Sequence, residues 1–255
     1  MPKTKLAMGL DIGGTGVKAA IVDTKRAKLV SDRVRIKTPI PSTPKAVIET
    51  AAQVRKQLGW SGPVGCGFPG LIRKDRVVSA PNLDPSWQGF NIVRGLQKKL
   101  GHEKVAVLND ADAAGLAEMR FGAGKGRQGT VVLLTIGTGV GTAVFRNGIL
   151  LPFTELGHVE VRGKEGEHWA SERARIVNKW SWKKWAKQLD RYLAHLQYLL
   201  GVDLYILGGG GSKRADKFLP YLQLTSCKIV TAKMGNLAGI VGAAMHVMES
   251  QGKRP

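Results

Sequence analysis

Asn109 and Asp110 stand where an apolar run, Val105 to Leu108, meets the alanine-rich stretch Ala111-Asp112-Ala113-Ala114-Gly115-Leu116-Ala117-Glu118. The run predicts a short buried strand and the alanines predict a helix. An amide and two carboxylates therefore fall at a strand-to-helix turn, where chemical groups are often displayed. Two roles fit. Asn109 or Asp110 can cap the helix by accepting from its first unpaired N–H groups, or a carboxylate there can act on a ligand. For an isolated pair capping is the simpler reading, and the flanking sequence is what shifts the balance.

That flanking sequence holds two related glycine turns. Asp11-Ile12-Gly13-Gly14-Thr15-Gly16-Val17 reappears about 120 residues later as Thr135-Ile136-Gly137-Thr138-Gly139-Val140, with one residue skipped and Thr135 in the place of Asp11. Each turn sits between apolar runs, as in a strand hairpin. Exposed N–H groups without side-chain bulk suit phosphate oxygens, and Asp11 could hold Mg²⁺ through water. One such turn has an equally good conformational explanation. Two of them, spaced as an internal repeat, predict related domains with both turns aimed into one cleft. A third glycine turn, Gly208-Gly209-Gly210-Gly211, follows the apolar run Leu204–Leu207 and is also compatible with phosphate or nucleotide.

The elements that must position these groups follow from patterning. Strands are expected over 5–12, 17–22, 29–37, 64–68, 130–136, 140–145, 204–207 and 229–230. Helices are expected over 46–58, 90–99 and 236–248, with a helical region from Glu167 to about Leu200. The stretch Ala80-Pro81-Asn82-Leu83 to Trp87 reads as a functional loop, in which Asn82 could bond a hydroxylated ligand or simply form a turn. Glu155 and His158 follow the second hairpin closely enough to join its site. In the 169–187 region, Trp169, Trp180, Trp182 and Trp185 interleave with Lys179, Lys183, Lys184 and Lys187. That pattern can bind a polyanion, but buried tryptophans with a solvated lysine face explain it more simply.

The chain has 255 residues, 39 Lys and Arg against 19 Asp and Glu, and a formal charge of +20. A field of that sign attracts polyanions of any kind. Cys66 and Cys227 are the only cysteines, which excludes a disulfide framework and a thiolate metal site. No apolar run is long enough to span a bilayer, and no signal-peptide pattern precedes the first strand. The expectation is a cytoplasmic protein without a membrane partner.

Together these residues resemble the ROK family of sugar kinases and repressors, which has the two-domain α/β actin-like ATPase (ribonuclease H-like) fold. Within it they are most similar to the polyphosphate glucokinase branch. The resemblance rests on Asp110–Glu118, Leu134–Ala143, Glu155-Leu156-Gly157-His158, Trp169-Ala170-Ser171, Ser181–Ala186 and Ala238–Ala244. It implies phosphorylation of glucose at the 6-hydroxyl, with sugar and phosphoryl donor (polyphosphate, and ATP as a second donor) in the interdomain cleft. Asp110 becomes the general base. Asn82, Asn109, Asp110, Glu155, His158 and Glu167 match sugar-binding positions. Gly13, Gly14, Thr15 and Lys18 would grip phosphate from one domain, and Thr135, Gly137, Thr138 and Gly139 from the other. Gly208, Gly209 and Gly210 would meet a nucleoside or further phosphates, and Asp11 would orient Mg²⁺. An ATP-dependent glucokinase or mannokinase is the alternative within the family. Many members carry a cysteine-rich zinc motif after the Gly-His pair. With no cysteine between 67 and 226, no zinc is expected.

The resemblance also implies a homodimer and domains at 1–108 and 109–235, the first joined by the last helix, about 236–249. The family's repressors carry an N-terminal helix-turn-helix, for which a first strand starting near residue 5 leaves no room, so no specific nucleic-acid partner is expected. Phe153 and Gly235 stand where polar residues are expected.

Overall fold

The computed structural model describes residues 5–101, 104–224 and 226–250. They form two units. The first contains the chain up to Ala117 and again from Leu237, and the second runs from Glu118 to Asn236. No helix among the described residues is long and apolar enough to cross a membrane.

The first unit is built on β1 (Leu6–Gly13), β2 (Gly16–Asp23), β3 (Lys28–Leu29), β4 (Val34–Ile36), α1 (Pro44–Gln57), β5 (Val64–Phe68), β6 (Leu71–Arg73), β7 (Arg76–Ser79), α2 (Ile92–Leu100), β8 (Val105–Asn109) and the start of α3 (Asp110–Phe121). Its main sheet has the order β3-β2-β1-β5-β8, with β4 also on β2. β1 and β2 are an antiparallel hairpin, while β1, β5 and β8 run parallel. A single strand was expected over 29–37. Two short pieces form instead, because the Ser31 hydroxyl accepts the Ile21 N–H at 2.9 Å and interrupts the ladder.

The second unit contains β9 (Thr130–Ile136), β10 (Val140–Arg146), β11 (Ile149–Leu151), β12 (Glu160–Val161), β13 (Lys164–Glu165), α4 (Glu167–Ala170), α5 (Glu172–Val177), α6 (Trp182–Leu200), β14 (Leu204–Gly208) and β15 (Lys228–Thr231). Its sheet order, β11-β10-β9-β14-β15, repeats the first: an antiparallel hairpin, then two parallel neighbours. The register repeats as well. Asp11 lies beside Gly67 of β5, and Thr135 lies beside Gly208 of β14. The helical region expected from Glu167 to Leu200 is three helices, since Ser171 (ψ 153°) and Ser181 (ψ 158°) are extended and cap α5 and α6 through their hydroxyls.

On α6, Trp185, Leu189, Tyr192, Leu193 and Leu196 recur at helical spacing and are fully buried. They share one core with Val132, Leu134 and Ile136, alternate residues of β9, and with Tyr205 and Leu207 of β14. This settles the tryptophan-lysine pattern on its simpler side for Trp185. Trp169 and Trp180 stack on each other, with centroids 6.4 Å apart and planes 3° from parallel.

The last helix, α7 (Ala238–Ser250), belongs to the first unit and is buried at Ile240, Val241, Ala243, Ala244 and Val247. Its seat is made by absent side chains. A Cβ on Gly9 would stand 1.9 Å from the Ile240 carbonyl oxygen, and one on Gly65 would stand 1.7 Å from that of Ala243. On the helix itself, a Cβ on Gly242 would stand 1.7 Å from the Ala113 carbonyl oxygen of α3. This packing draws the first turns of α3 into the first unit, past the expected 108/109 boundary. Because both partners at Gly242 are backbone, no rotamer change can make room. Gly242→Ala should lower stability by about 1–3 kcal/mol, read as a lower denaturant midpoint. An unchanged midpoint would mean that α3 and α7 are not held this closely.

Candidate active site

The carboxyl ends of parallel strands are where open α/β sheets bind ligands, and the first unit places its predicted groups there. Asp11 lies two residues before the end of β1, Asn109 ends β8 and Asp110 opens α3. Between them runs β5, whose Gly67 lies beside Asp11; a Cβ on Gly67 would stand 3.5 Å from the Asp110 Cα. Position 67 thus lies in van der Waals reach of the Asp110 backbone. Lys18 sits opposite Asp11 in the hairpin and donates to its carboxylate at 3.0 Å. Gly13, Gly14 and Thr15 form the connecting turn, with Gly14 and Thr15 exposed. Asn82 lies over this turn, since a Cβ on Gly14 would be 3.4 Å from the Asn82 carbonyl oxygen.

Asn109 takes the capping role. Its Oδ1 accepts from the N–H groups of Ala111 (2.8 Å) and Asp112 (3.2 Å), and its Nδ2 donates to the Gly70 carbonyl at 3.4 Å. Asp110 opens the helix, and its Oδ1 accepts from Ala111 N–H at 2.8 Å. Asn109 is buried and Asp110 half-buried, so the pair divides its labour: the amide holds the turn and the carboxylate is presented.

The second unit gathers its groups around the other turn. Gly209 (φ 78°) leaves no room for a side chain, as a Cβ there would stand 2.5 Å from the Ile136 carbonyl oxygen. The Gly208–Gly210 turn therefore packs against the backbone of Ile136, the residue before Gly137, and Thr135 lies beside Gly208. Glu167 reaches the same place, its Oε2 accepting from Val140 N–H at 3.2 Å. Glu155 lies close enough to sense both His158 and Glu167. Burial raises the Glu155 pKa above the ordinary carboxylate value, His158 opposes that shift, and Glu167 adds to it. The Tyr192 hydroxyl, from the core face of α6, donates to the Leu156 carbonyl at 3.1 Å and holds the segment between Glu155 and His158. Phe153, at the start of that segment, has φ 60°, a conformation uncommon for a bulky residue.

His158 Nδ1 lies 3.3 Å from Glu165 Oε1. His158, Glu165 and Glu167 offer one ligand atom each within 4.8 Å of one another, a set of one nitrogen and two oxygens. For Mg²⁺ near the first turn, the fit is different: Asp11 supplies a single, mostly buried carboxylate (17% exposed) beside exposed backbone N–H groups. One carboxylate with phosphate and water as the remaining ligands is an ordinary environment for that ion.

A family model described as ROK family matches residues 7–170. The chain belongs to the ROK family. Among relatives of this ROK-family chain, the polyphosphate glucokinase of Mycobacterium tuberculosis (strain CDC 1551 / Oshkosh) is 48% identical over 93% of the chain and 89% of its own length. The glucokinase of Streptomyces coelicolor is 27% identical, covering 94% and 96%. The crystal structure of an inorganic polyphosphate/ATP-glucomannokinase from Arthrobacter sp. strain KM superposes with a TM-score of 0.91. It is 46% identical and covers 96% of this chain and 99% of that one. The actin-like ATPase fold expected from the resemblance is the fold of this family.

Sequence reasoning missed several residues that support these turns. Arg35 donates to the Thr15 carbonyl at 3.2 Å and braces the first turn. It faces Lys18 across β2 and β4, a pairing no local signal reveals. Tyr192 and Glu165 were missed for the same reason. Glu172 and Arg173 were missed too; their N–H groups donate to the Gly137 carbonyl at 3.0 and 3.3 Å.

Two outcomes follow from this geometry. Asn109→Ala removes a helix cap and should cost about 1 kcal/mol, measured by denaturant unfolding. Glu155 has a folded-state pKa above its unfolded value, so its charge opposes folding once pH exceeds the unfolded value. Glu155→Gln should therefore raise the Tm at neutral pH. A lower Tm would mean that the charged form is the better accommodated one.

Proposed function

We propose that this chain is a polyphosphate-dependent glucokinase that also accepts ATP, transferring a terminal phosphoryl group to the 6-hydroxyl of glucose. The observation that carries the reading is the convergence of Asp11, the Gly13–Thr15 turn and Asp110 at one sheet edge. It occurs in a chain 48% identical to a polyphosphate glucokinase. ATP as second donor is supported by the Arthrobacter polyphosphate/ATP-glucomannokinase.

In this reading Asp110 accepts the proton of the 6-hydroxyl as that oxygen attacks the terminal phosphorus. The bond from phosphorus to the bridging oxygen breaks, and the shortened polyphosphate, or ADP, carries away the electron pair. Phosphoryl transfer depends chiefly on positioning and charge neutralisation, and a carboxylate fixed on the first turn of a helix meets the positioning demand. Asn82, Glu155, His158 and Glu167 hold the sugar hydroxyls, and Asn109 acts mainly by fixing Asp110. Gly13, Gly14, Thr15 and Lys18 bind phosphate from the first unit. Thr135, Gly137, Thr138, Gly139 and Gly208–Gly210 bind it from the second. Asp11 would hold Mg²⁺ through water, with Lys18 beside it, and a bound ion would supply neutralisation of the phosphate charge. A cytoplasmic homodimer is part of the same proposal.

The test is glucose phosphorylation with Mg²⁺, using long-chain polyphosphate and ATP as donors in parallel. A higher kcat/KM with polyphosphate supports the proposal, whereas activity with ATP alone leaves an ATP-dependent glucokinase or mannokinase. Asp110→Asn should reduce kcat at least about 100-fold with either donor and leave the folded state intact by circular dichroism. Retained turnover would remove Asp110 from the role of base.

A further inference from the structure

Two short basic segments of the second unit converge on its glycine turns. One is α5, Glu-Arg-Ala-Arg-Ile-Val, and the other is the 3₁₀ segment Gly211–Lys217, Gly-Ser-Lys-Arg-Ala-Asp-Lys. They are tied together at both ends. Near the turns, a Cβ on Gly210 would stand 3.6 Å from Glu172 Oε2, and Gly211 lies against Ile136, next to Gly137. At the far ends, Arg175 and Phe218 share one partner. The Arg175 guanidinium lies 4.0 Å over the Trp182 ring, and Phe218 stacks on the same ring with centroids 6.3 Å apart. The segments are therefore neighbours at both ends, and the Gly211–Lys217 segment bends at Arg214 (φ −113°, ψ 28°) between them. A cavity of about 260 Å³ opens at the near end, lined by Gly137, Thr138, Glu172, Arg173 and Ile176.

Arg173, Lys213, Arg214 and Lys217 are exposed, and none forms an ion pair with a described residue. Glu172 and Asp216 are the acids of the two segments. Unpaired cations at successive positions beside a phosphate-compatible turn are suited to a polyanion whose end lies in that turn. The chemistry favours one without bases. Single-stranded nucleic acid is held by rings on which bases stack, and the rings here are already taken up. Trp182 lies between Arg175 and Phe218, and Trp169 and Trp180 stack on each other.

We propose that Arg173, Lys213, Arg214 and Lys217 form a tract that binds the unreacted length of a polyphosphate chain leading away from the donor turn. The inference rests on the polyphosphate reading above and deepens it by naming the residues that read chain length. Tripolyphosphate and ATP carry only three phosphates for the turns to hold, so a chain with many more phosphates gains most from the tract.

The experiment compares wild type with Lys213→Gln/Arg214→Gln/Lys217→Gln and with the charge-keeping Lys213→Arg/Lys217→Arg. The glutamine triple variant should raise KM for long-chain polyphosphate about tenfold at low salt and reduce the log–log salt slope by about 2. Its kcat/KM with tripolyphosphate and ATP should stay within about twofold, and the arginine variant should behave as wild type. An equal loss with ATP would assign these residues to the fold or the donor turn, and an unchanged long-chain KM would remove the tract. Both results overturn the proposal.

Binding of fluorescently labelled long-chain polyphosphate, followed by anisotropy, separates this from the functional reading. If wild type uses only ATP, the donor assignment fails. The tract then stands if the triple variant loses affinity for the labelled chain, and falls if it does not. Displacement of the chain by single-stranded DNA at matched phosphate concentration would reassign the surface to nucleic acid.

Discussion

The first unit depends on a backbone-to-backbone contact that only glycine permits. Helix α7 lies so close to β1 and β5 that its carbonyl oxygens occupy the space where side chains of Gly9 and Gly65 would stand, and Gly242 lets α3 in equally close. Such packing leaves no void and no flexible atom to absorb a change. It fixes the height of β1 and β5 against α3, and hence where Asp11 and Asp110 stand near the ends of β1 and β8. The chemistry at the sheet edge is set by a contact buried behind it.

The same plan appears twice in the chain with different electrostatics. In the first unit the hairpin position beside β5 carries Asp11, faced across the hairpin by Lys18. In the second unit the corresponding pair is Thr135 and Gly141. The first pair is an ion pair of carboxylate and ammonium, whereas the second offers only a hydroxyl and backbone N–H groups, a neutral donor set suited to an anion. Duplication supplied two phosphate-compatible turns, and substitution at one position made them unequal. The second unit adds what the first lacks, a third glycine turn packed against Ile136, with α5 anchored on Gly137 beside it.

Glu155 shows how stability and function pull apart at such a site. Its segment is held by Tyr192, whose ring is in the core and whose hydroxyl reaches the Leu156 carbonyl. That anchoring partly buries the carboxylate and raises its pKa, with Glu167 nearby adding to the effect and His158 relieving it. Burial of a carboxylate with this shift works against folding rather than for it. Its position is understandable if the charged oxygen has a ligand to meet.

Much of this was legible in the sequence because it depends on local pattern. Period-two and period-3.6 apolar spacing located the strands and helices, and Ile-Gly-Gly-Thr-Gly-Val at 12–17, repeated one residue shorter at 136–140, announced the duplicated hairpin. The strand-to-helix turn placed Asn109 and Asp110 together, but their neighbours could not say which would cap. Tertiary structure decided that, because Gly70 comes within reach of the Asn109 amide and Gly67 sits beneath Asp110. It also decided the break at Ser31, where a side chain displaced a ladder bond, and the division of the 167–200 region at two serine caps. Arg35, Tyr192, Glu165 and the pairing of α5 with the 3₁₀ segment were invisible in one dimension. Each acts through a contact between residues distant in the chain, and sequence spacing carries no record of such a contact until the sheet and helices bring the partners together.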